Sequence, residues 1–144
     1  MSRGYTLMEV MVALAIVGMV LAAVPMMMGG SRPGVEVRAA AIELASALRR
    51  TRSEAITGFR AEVFHLDIER RAYRVGSAGK ETVLPENLAV SLYTARSELA
   101  DENAGRIRFF PDGSATGGRV TLAIGGHSYV VAVDWLTGAV ELEQ

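Results

Sequence analysis

The chain has 144 residues, half of them hydrophobic, with 15 Lys and Arg against 16 Asp and Glu, a formal net charge of −1, and no cysteine. That length suits one domain, or one small domain with an appended segment. The absence of cysteine excludes disulfides, zinc–thiolate sites and a cysteine nucleophile, and the near-neutral balance gives no global attraction to nucleic acid or anionic lipid.

An apolar run opens the chain. From Val10 to Met28 no residue is charged, a stretch of 19 residues that holds five of the seven methionines. As a helix it would rise about 28 Å, close to the ~30 Å hydrocarbon core of a bilayer. Glu9 sits at its start, and a carboxylate in a lipid-bound segment costs roughly 2.5–3.5 kcal/mol on insertion scales. A secretory signal peptide would have a basic start, a short apolar stretch and a small-residue cut. Arg3 and Ala13-Leu14-Ala15 match that loosely, but the apolar run continues past them and Glu9 falls where the stretch should be apolar. A plain membrane anchor accounts for the length and leaves Glu9 unexplained.

Arg3-Gly4-Tyr5-Thr6-Leu7-Met8-Glu9-Val10 resembles the class III leader junction of type IV pilins and type II secretion pseudopilins: a glycine, an aromatic, then Thr-Leu-(apolar)-Glu. Tyr5 stands where phenylalanine is more usual. The resemblance implies that residues 1–4 are a leader removed by a prepilin peptidase. Tyr5 then becomes an N-methylated N-terminus, and residues 5–28 form the transmembrane helix. Cleavage would leave an α-amino group on Tyr5 that is charged or nearly so at neutral pH. In a bundle of such helices that amine can pair with Glu9 of a neighbouring subunit. A bare charge in an apolar bundle is costly and a paired one much less so, which makes Glu9 a candidate filament-assembly residue that sets axial register.

Gly29-Gly30-Ser31-Arg32-Pro33-Gly34 is a breaker cluster, which predicts a hinge over residues 29–34; Pro25 upstream is a second weak point. Residues 35–58 read as an amphipathic helix: Ala41, Leu44, Ala45, Leu48, Ala55 and Ile56 recur near helical spacing, and Gly58 suits a C-terminal cap. From residue 59 the period becomes two. Phe64, Leu66 and Ile68; Tyr73 and Val75; Leu88, Val90 and Leu92; Ile107 and Phe109; Val120, Leu122 and Ile124; Tyr129, Val131, Val133 and Trp135; and Val140 with Leu142 predict seven short strands. Their turns are marked by Pro111-Asp112-Gly113, Gly125-Gly126 and Thr137-Gly138. Ser97 to Gly105, polar and charged, is predicted to be a mobile loop. The fold class is therefore α+β, an N-terminal helix followed by an antiparallel β domain over residues 59–144, with the amphipathic helix packed on a sheet.

Arg106-Ile107-Arg108-Phe109-Phe110-Pro111-Asp112-Gly113-Ser114, then Gly117-Gly118, then Leu136-Thr137-Gly138-Ala139-Val140, is similar to the GspH/FimT family of minor pseudopilins. There an F-x-P-D-G-type turn, a G-G and a terminal T-G-x-V hairpin recur in similar order; residues 77–104 match loosely. The resemblance implies a two-sheet, sandwich-like domain in the periplasm, carried by a single-pass helix in the bacterial inner membrane. It implies a type II secretion subunit near the pseudopilus tip, joining the tip to the shaft and supporting export of folded proteins. Its partners would be the major and other minor pseudopilins, with the prepilin peptidase as processing enzyme.

Little in the chain suggests chemistry. His65 and His127 lie on separate predicted strands, His65 facing solvent opposite Phe64 and Leu66. Asp112 belongs to a turn, and Ser114 has no G-x-S-x-G context. No enzyme activity, metal or cofactor is expected. Two basic clusters, Arg49, Arg50 and Arg52 at the helix end and Arg70, Arg71 and Arg74 in the first hairpin, raise an alternative: a FimT-like minor pilin of a type IV pilus that assembles pili or binds DNA. The acidic end Glu141-Leu142-Glu143-Gln144 argues against a nucleic-acid partner. A bitopic anchor with a ligand-binding domain and no processing is the other alternative.

Overall fold

The computed structural model describes residues 6–28, 33–95, 98–101 and 104–144, the side chains of 22–28 and 99–101 excepted. Two compact units divide the chain, Met1–Arg32 and Pro33–Gln144. Gly4, Tyr5 and residues 29–32 of the expected hinge lie outside the described residues.

The first unit holds one helix, α1 (Leu7–Met28). Its side chains from Leu7 to Leu21 are all exposed, and apart from Glu9 none is charged. A helix apolar on every side has no solvent-facing stripe and is stable in lipid or in a bundle of its own kind rather than alone in water. Among the described residues no helix is long and apolar enough to cross a membrane.

The second unit begins with α2 (Pro33–Thr57). Pro33 and Gly34, expected in the hinge, are its first turn instead. Proline suits that position, since its missing N–H would be unpaired there anyway. Val37, Ala40, Ala41, Leu44, Ala45, Leu48, Thr51 and Ala55 are buried, a stripe at i, i+3, i+4 spacing. Thr51 is tolerated inside it because its hydroxyl donates to Ala47 O at 2.8 Å. The helix ends in a Schellman motif: Arg60 N–H bonds Ala55 O at 3.3 Å and Phe59 N–H bonds Ile56 O at 3.4 Å. Gly58 is thus the cap residue, but the left-handed position that usually takes glycine is filled by Phe59, φ 49°.

Nine strands follow among the described residues: β1 (Glu62–Asp67), β2 (Ala72–Val75), β3 (Thr82–Val83), β4 (Ala89–Thr94), β5 (Leu99–Asp101), β6 (Ala104–Phe109), β7 (Gly118–Ile124), β8 (His127–Val133) and β9 (Val140–Glu143). The two beyond the expected seven are β3 and β5, and β5 with the start of β6 occupies the segment read as a loop. Trp135 lies past the end of β8, in a turn, and not in the strand. One sheet has the order β3-β2-β1-β6-β5 and the other β4-β7-β8-β9, every pairing antiparallel. The fold is the expected α+β arrangement of helix and two antiparallel sheets.

Alternation places Phe64, Leu66, Ile107 and Phe109 of the first sheet and Val120, Leu122, Val131 and Val133 of the second against α2, and all are buried. Each such side chain contributes on the order of 1.5–3 kcal/mol. Phe64 and Tyr73 stack with ring centroids 5.4 Å apart. The sheets meet where β4 crosses β6. Gly105 lies against Leu92 so closely that a side chain would collide with it, and the Thr94 hydroxyl is 3.0 Å from Arg106 O and 3.2 Å from Gly117 O. The β7–β8 hairpin turns on Gly125 (φ 55°) and Gly126 (φ 84°), both left-handed as a type I′ turn requires.

Phe59 is 86% exposed, so its ring adds little burial while its backbone sits where a side chain is strained. Phe59→Gly should stabilise residues 33–144 by about 1 kcal/mol, read as a higher urea midpoint with an unchanged slope.

Candidate functional site

Thr6 and Glu9 form the first turn of α1. Glu9 N–H bonds both Thr6 O at 3.0 Å and Thr6 Oγ1 at 3.3 Å, and Val10 N–H bonds Thr6 O at 3.2 Å. Thr6 is therefore the N-cap and Glu9 the third helical residue, the T-x-x-E spacing of a capping box. A carboxylate there also faces the positive end of the helix dipole, worth about 0.3–1 kcal/mol. The sequence reading missed this local role, although the Thr-x-x-Glu spacing carries it. Glu9 is exposed and remains open to a partner outside its own helix.

The basic cluster on α2 is part of the scaffold. Arg49 Nη2 donates to Val140 O at 2.9 Å; Arg52 donates to Gly113 O at 3.1 Å and to Thr137 O at 3.0 Å; Arg50 pairs with Glu54 at 2.8 Å. Arg49 and Arg52 so tie the helix to β9 and to the two turns flagged in the sequence. Those turns are closed by their own aspartates. Asp112 accepts from Ser114 Oγ at 2.6 Å and Ser114 N at 3.0 Å, and these bonds hold its carboxyl below the usual range. Asp134 accepts from Thr137 N–H and Oγ1, each at 2.8 Å, and from Leu136 N–H, with the same effect. Asp112 and Ser114 thus serve the turn.

Two other surfaces are left open. On the outer face of the first sheet, His65 lies between Arg74 and Arg106 in cross-strand register, with Arg108 and the buried Glu98 beside them. His65 is on the expected face but half-buried rather than free in solvent. Burial first, then the charges of Arg74, Arg106 and Arg108, push its pKa below the usual histidine value. On the outer face of the second sheet a groove of about 810 Å³ runs past Tyr93, Arg119, Ala132, Trp135 and Glu141. Trp135 is 65% exposed beside it. His127 stands at the start of β8, away from His65. Tyr73, behind the first sheet, donates to Glu43 at 3.2 Å; burial and that carboxylate push its phenol up to about 12. Among the described residues no three His, Asp or Glu side chains group as metal ligands would.

The type II transport protein GspH family matches residues 40–138, and the prokaryotic N-terminal methylation motif matches residues 1–25. Type II secretion system protein H of Xanthomonas campestris pv. campestris is 32% identical over 138 residues, 96% of this chain and 81% of that protein. Among solved structures, the minor pseudopilin EpsH from the type 2 secretion system of Vibrio cholerae superposes with a TM-score of 0.59, covering 74% of this chain and 95% of that one at 16% identity. The type IV minor pilin FimU of Pseudomonas aeruginosa gives a TM-score of 0.58, covering 76% and 89% at 19% identity. At such identities the likeness to the solved structures establishes the fold.

The lowered pKa of His65 has a definite sign. Its folded value lies below the unfolded one, so the unfolded chain takes up a proton first as pH falls. Stability is lost from about pH 6.5 downward until the folded form protonates too. His65→Gln should therefore show a smaller drop in Tm than the wild type between about pH 7.5 and about pH 5; equal drops would contradict the assignment.

Proposed function

Since the chain belongs to the GspH family of type II transport proteins, we propose that it is a minor pseudopilin of a type II secretion system, a structural adaptor near the tip of the periplasmic pseudopilus. Members of the family are structural subunits and not enzymes. The observation that carries this reading is the joining, in one chain, of the methylation motif over residues 1–25 to the family's domain over residues 40–138. In this reading a prepilin peptidase cuts between Gly4 and Tyr5 and Tyr5 is N-methylated. The apolar segment 5–28 holds the subunit in the inner membrane with its sheet domain in the periplasm. Extraction into the filament then replaces lipid around α1 with the helices of the major and other minor pseudopilins, and the growing filament supports export of folded proteins.

The uncharged run supports that exchange, because lipid tails and an apolar bundle are nearly equivalent surroundings for it. Glu9 supplies what apolar packing lacks, a single polar group whose partner must be brought to one depth. The Tyr5 amine of a neighbour is the partner we assign. A DNA-binding pilin of the FimT kind is less well supported: Arg49 and Arg52 are bonded to backbone carbonyls, and the acidic Glu141 and Glu143 stand exposed on β9.

Two measurements test the reading. Mass spectrometry of the protein from its native membrane should find N-methyl-Tyr5 as first residue; an intact Met1 or Ser2 would overturn it. Glu9→Ala should leave processing, membrane insertion and the sheet domain intact while secretion and incorporation into filaments fall severely. The helix itself should lose no more than about 0.3–1 kcal/mol from the missing dipole contact. Wild-type assembly in that variant would remove the register role.

A further inference from the structure

The outer face of the five-stranded sheet holds charges that the fold leaves unanswered. His65 of β1 has Arg74 of β2 as its Cα partner on one side and Arg106 of β6 on the other, and Arg108 stands opposite Val63 on the same face. Like charges directly across strands destabilise a sheet, yet three guanidinium groups crowd one imidazole. A single carboxylate answers them. Glu98, 5% exposed, lies 3.2 Å from Arg108 Nε and 3.6 Å from Arg106 Nε. The second distance is an ion pair but too long for a hydrogen bond; Arg106 Nε and Glu98 Oε2 are both buried without one.

Arg74 is the clearest orphan. Its side chain makes no hydrogen bond or ion pair among the described residues, and its Nε is buried with no acceptor. A buried donor left without a partner is destabilising, and more so when it is charged. Beside it opens a cavity of about 250 Å³ lined by His65, Arg74 and Arg106, together with Asp67, Arg70 and Glu81. Asp67 is already engaged: it accepts from Arg70 N–H at 2.8 Å and pairs with Arg70 Nε at 3.8 Å. Glu81 is exposed and bonds neither arginine Nε.

We propose that this face is a docking site for a carboxylate side chain of another protein subunit, a Glu or Asp that enters the cavity and accepts from Arg74. With Arg70, Asp67 and Glu81 included, four arginines face three carboxylates, so the site as folded has an excess of one positive charge, which one incoming carboxylate neutralises. Arginine's planar fork matches a carboxylate in two-point contact, the strong form of charge-assisted hydrogen bond. A nucleic-acid backbone fits poorly, because a small positive excess takes one carboxylate, whereas a row of phosphates brings several charges past Asp67 and Glu81. Only the identity of the occupant, a neighbour in the filament, rests on the function proposed above.

Residues 33–144 contain the whole buried core and all nine described strands, so they fold without the first unit. An isotope-labelled sample of that unit, titrated at low salt with a short peptide carrying a single glutamate, should show NMR shifts at Arg74 Nε–H, Arg106 Nε–H and the His65 ring, fading as salt screens the pair. Arg74→Gln should weaken binding about tenfold, the worth of one charge-assisted hydrogen bond. It should leave the unfolding midpoint unchanged or raised, since Arg74 holds nothing in place. The proposal is overturned by absence of shifts at this face, by undiminished binding in Arg74→Gln, or by a lowered midpoint in that variant. It is overturned equally if inorganic phosphate or a short DNA duplex binds here more tightly than the peptide. None of these outcomes touches the N-terminal processing of the chain, so the two readings fail separately.

Discussion

The domain depends on one helix that must satisfy two sheets at once. Neither sheet is large, and each has a single apolar face that needs cover. α2 supplies that cover with the stripe from Val37 to Ala55, touching β1, β2 and β6 of one sheet and β7, β8 and β9 of the other. Four of the eight buried residues on the stripe are alanines. Small side chains allow the helix to seat close to both sheets, while Leu44 and Leu48, wholly buried, fill the space between them. Enlarging any of those alanines would push the helix off two surfaces rather than one, the situation in which overpacking is hardest to relax.

Polar contacts follow from that geometry. A helix laid across two sheets ends near the turns of both, and the backbone carbonyls of those turns need donors. Arg49 and Arg52 provide them, reaching Val140, Gly113 and Thr137. Both are long enough to run along the helix flank with an apolar stem and deliver the charge at the tip. The same arrangement explains Gly113 and Gly138. Arg52 lies against both, and a side chain at Gly138 would collide with Gly113 O as well. The basic cluster that looked like a surface for polyanions is instead the strap that holds the C-terminal hairpin to the helix.

Most of this was legible because period and turn chemistry are local signals. The alternation of Phe64, Leu66, Ile107, Phe109, Val120 and Leu122, and the glycine pairs between them, require one particular face and one particular turn. What escaped was decided by distant partners. Thr82-Val83 is too short to show a period and is a strand only because β2 offers its edge. The polar segment before β6 looked like a loop, yet Glu98 is drawn inside by two arginines two strands' length away in sequence, and Leu99–Asp101 then pairs with β6. Trp135 continued the alternation of β8 on paper. In the structure Asp134 takes three donors from Leu136 and Thr137 and turns the chain first. Phe59 took the left-handed position beside the glycine that seemed made for it, because the Schellman bonds fix which residue of the pair must bend.

Glu9 has one role seen in its own helix and one proposed for it in the filament, and the two work against each other in energy. Within its own helix it faces the dipole of the first turn and completes the Thr6 capping spacing. A carboxylate already favoured where it stands gains less from a new partner than an isolated one would, so the proposed pairing with a neighbour's amine exchanges one stabilised state for another. Its net contribution to holding a bundle together is correspondingly small. What stays large is the difference between right and wrong depth: shifted along the bundle, the same charge faces apolar side chains with no partner. In the proposed filament, a residue with small net gain and a steep penalty for misplacement would specify register and add little adhesion. Adhesion would then fall to the apolar sides of α1 and to contacts between the sheet domains, where the unanswered charge on the outer face of the five-stranded sheet would act.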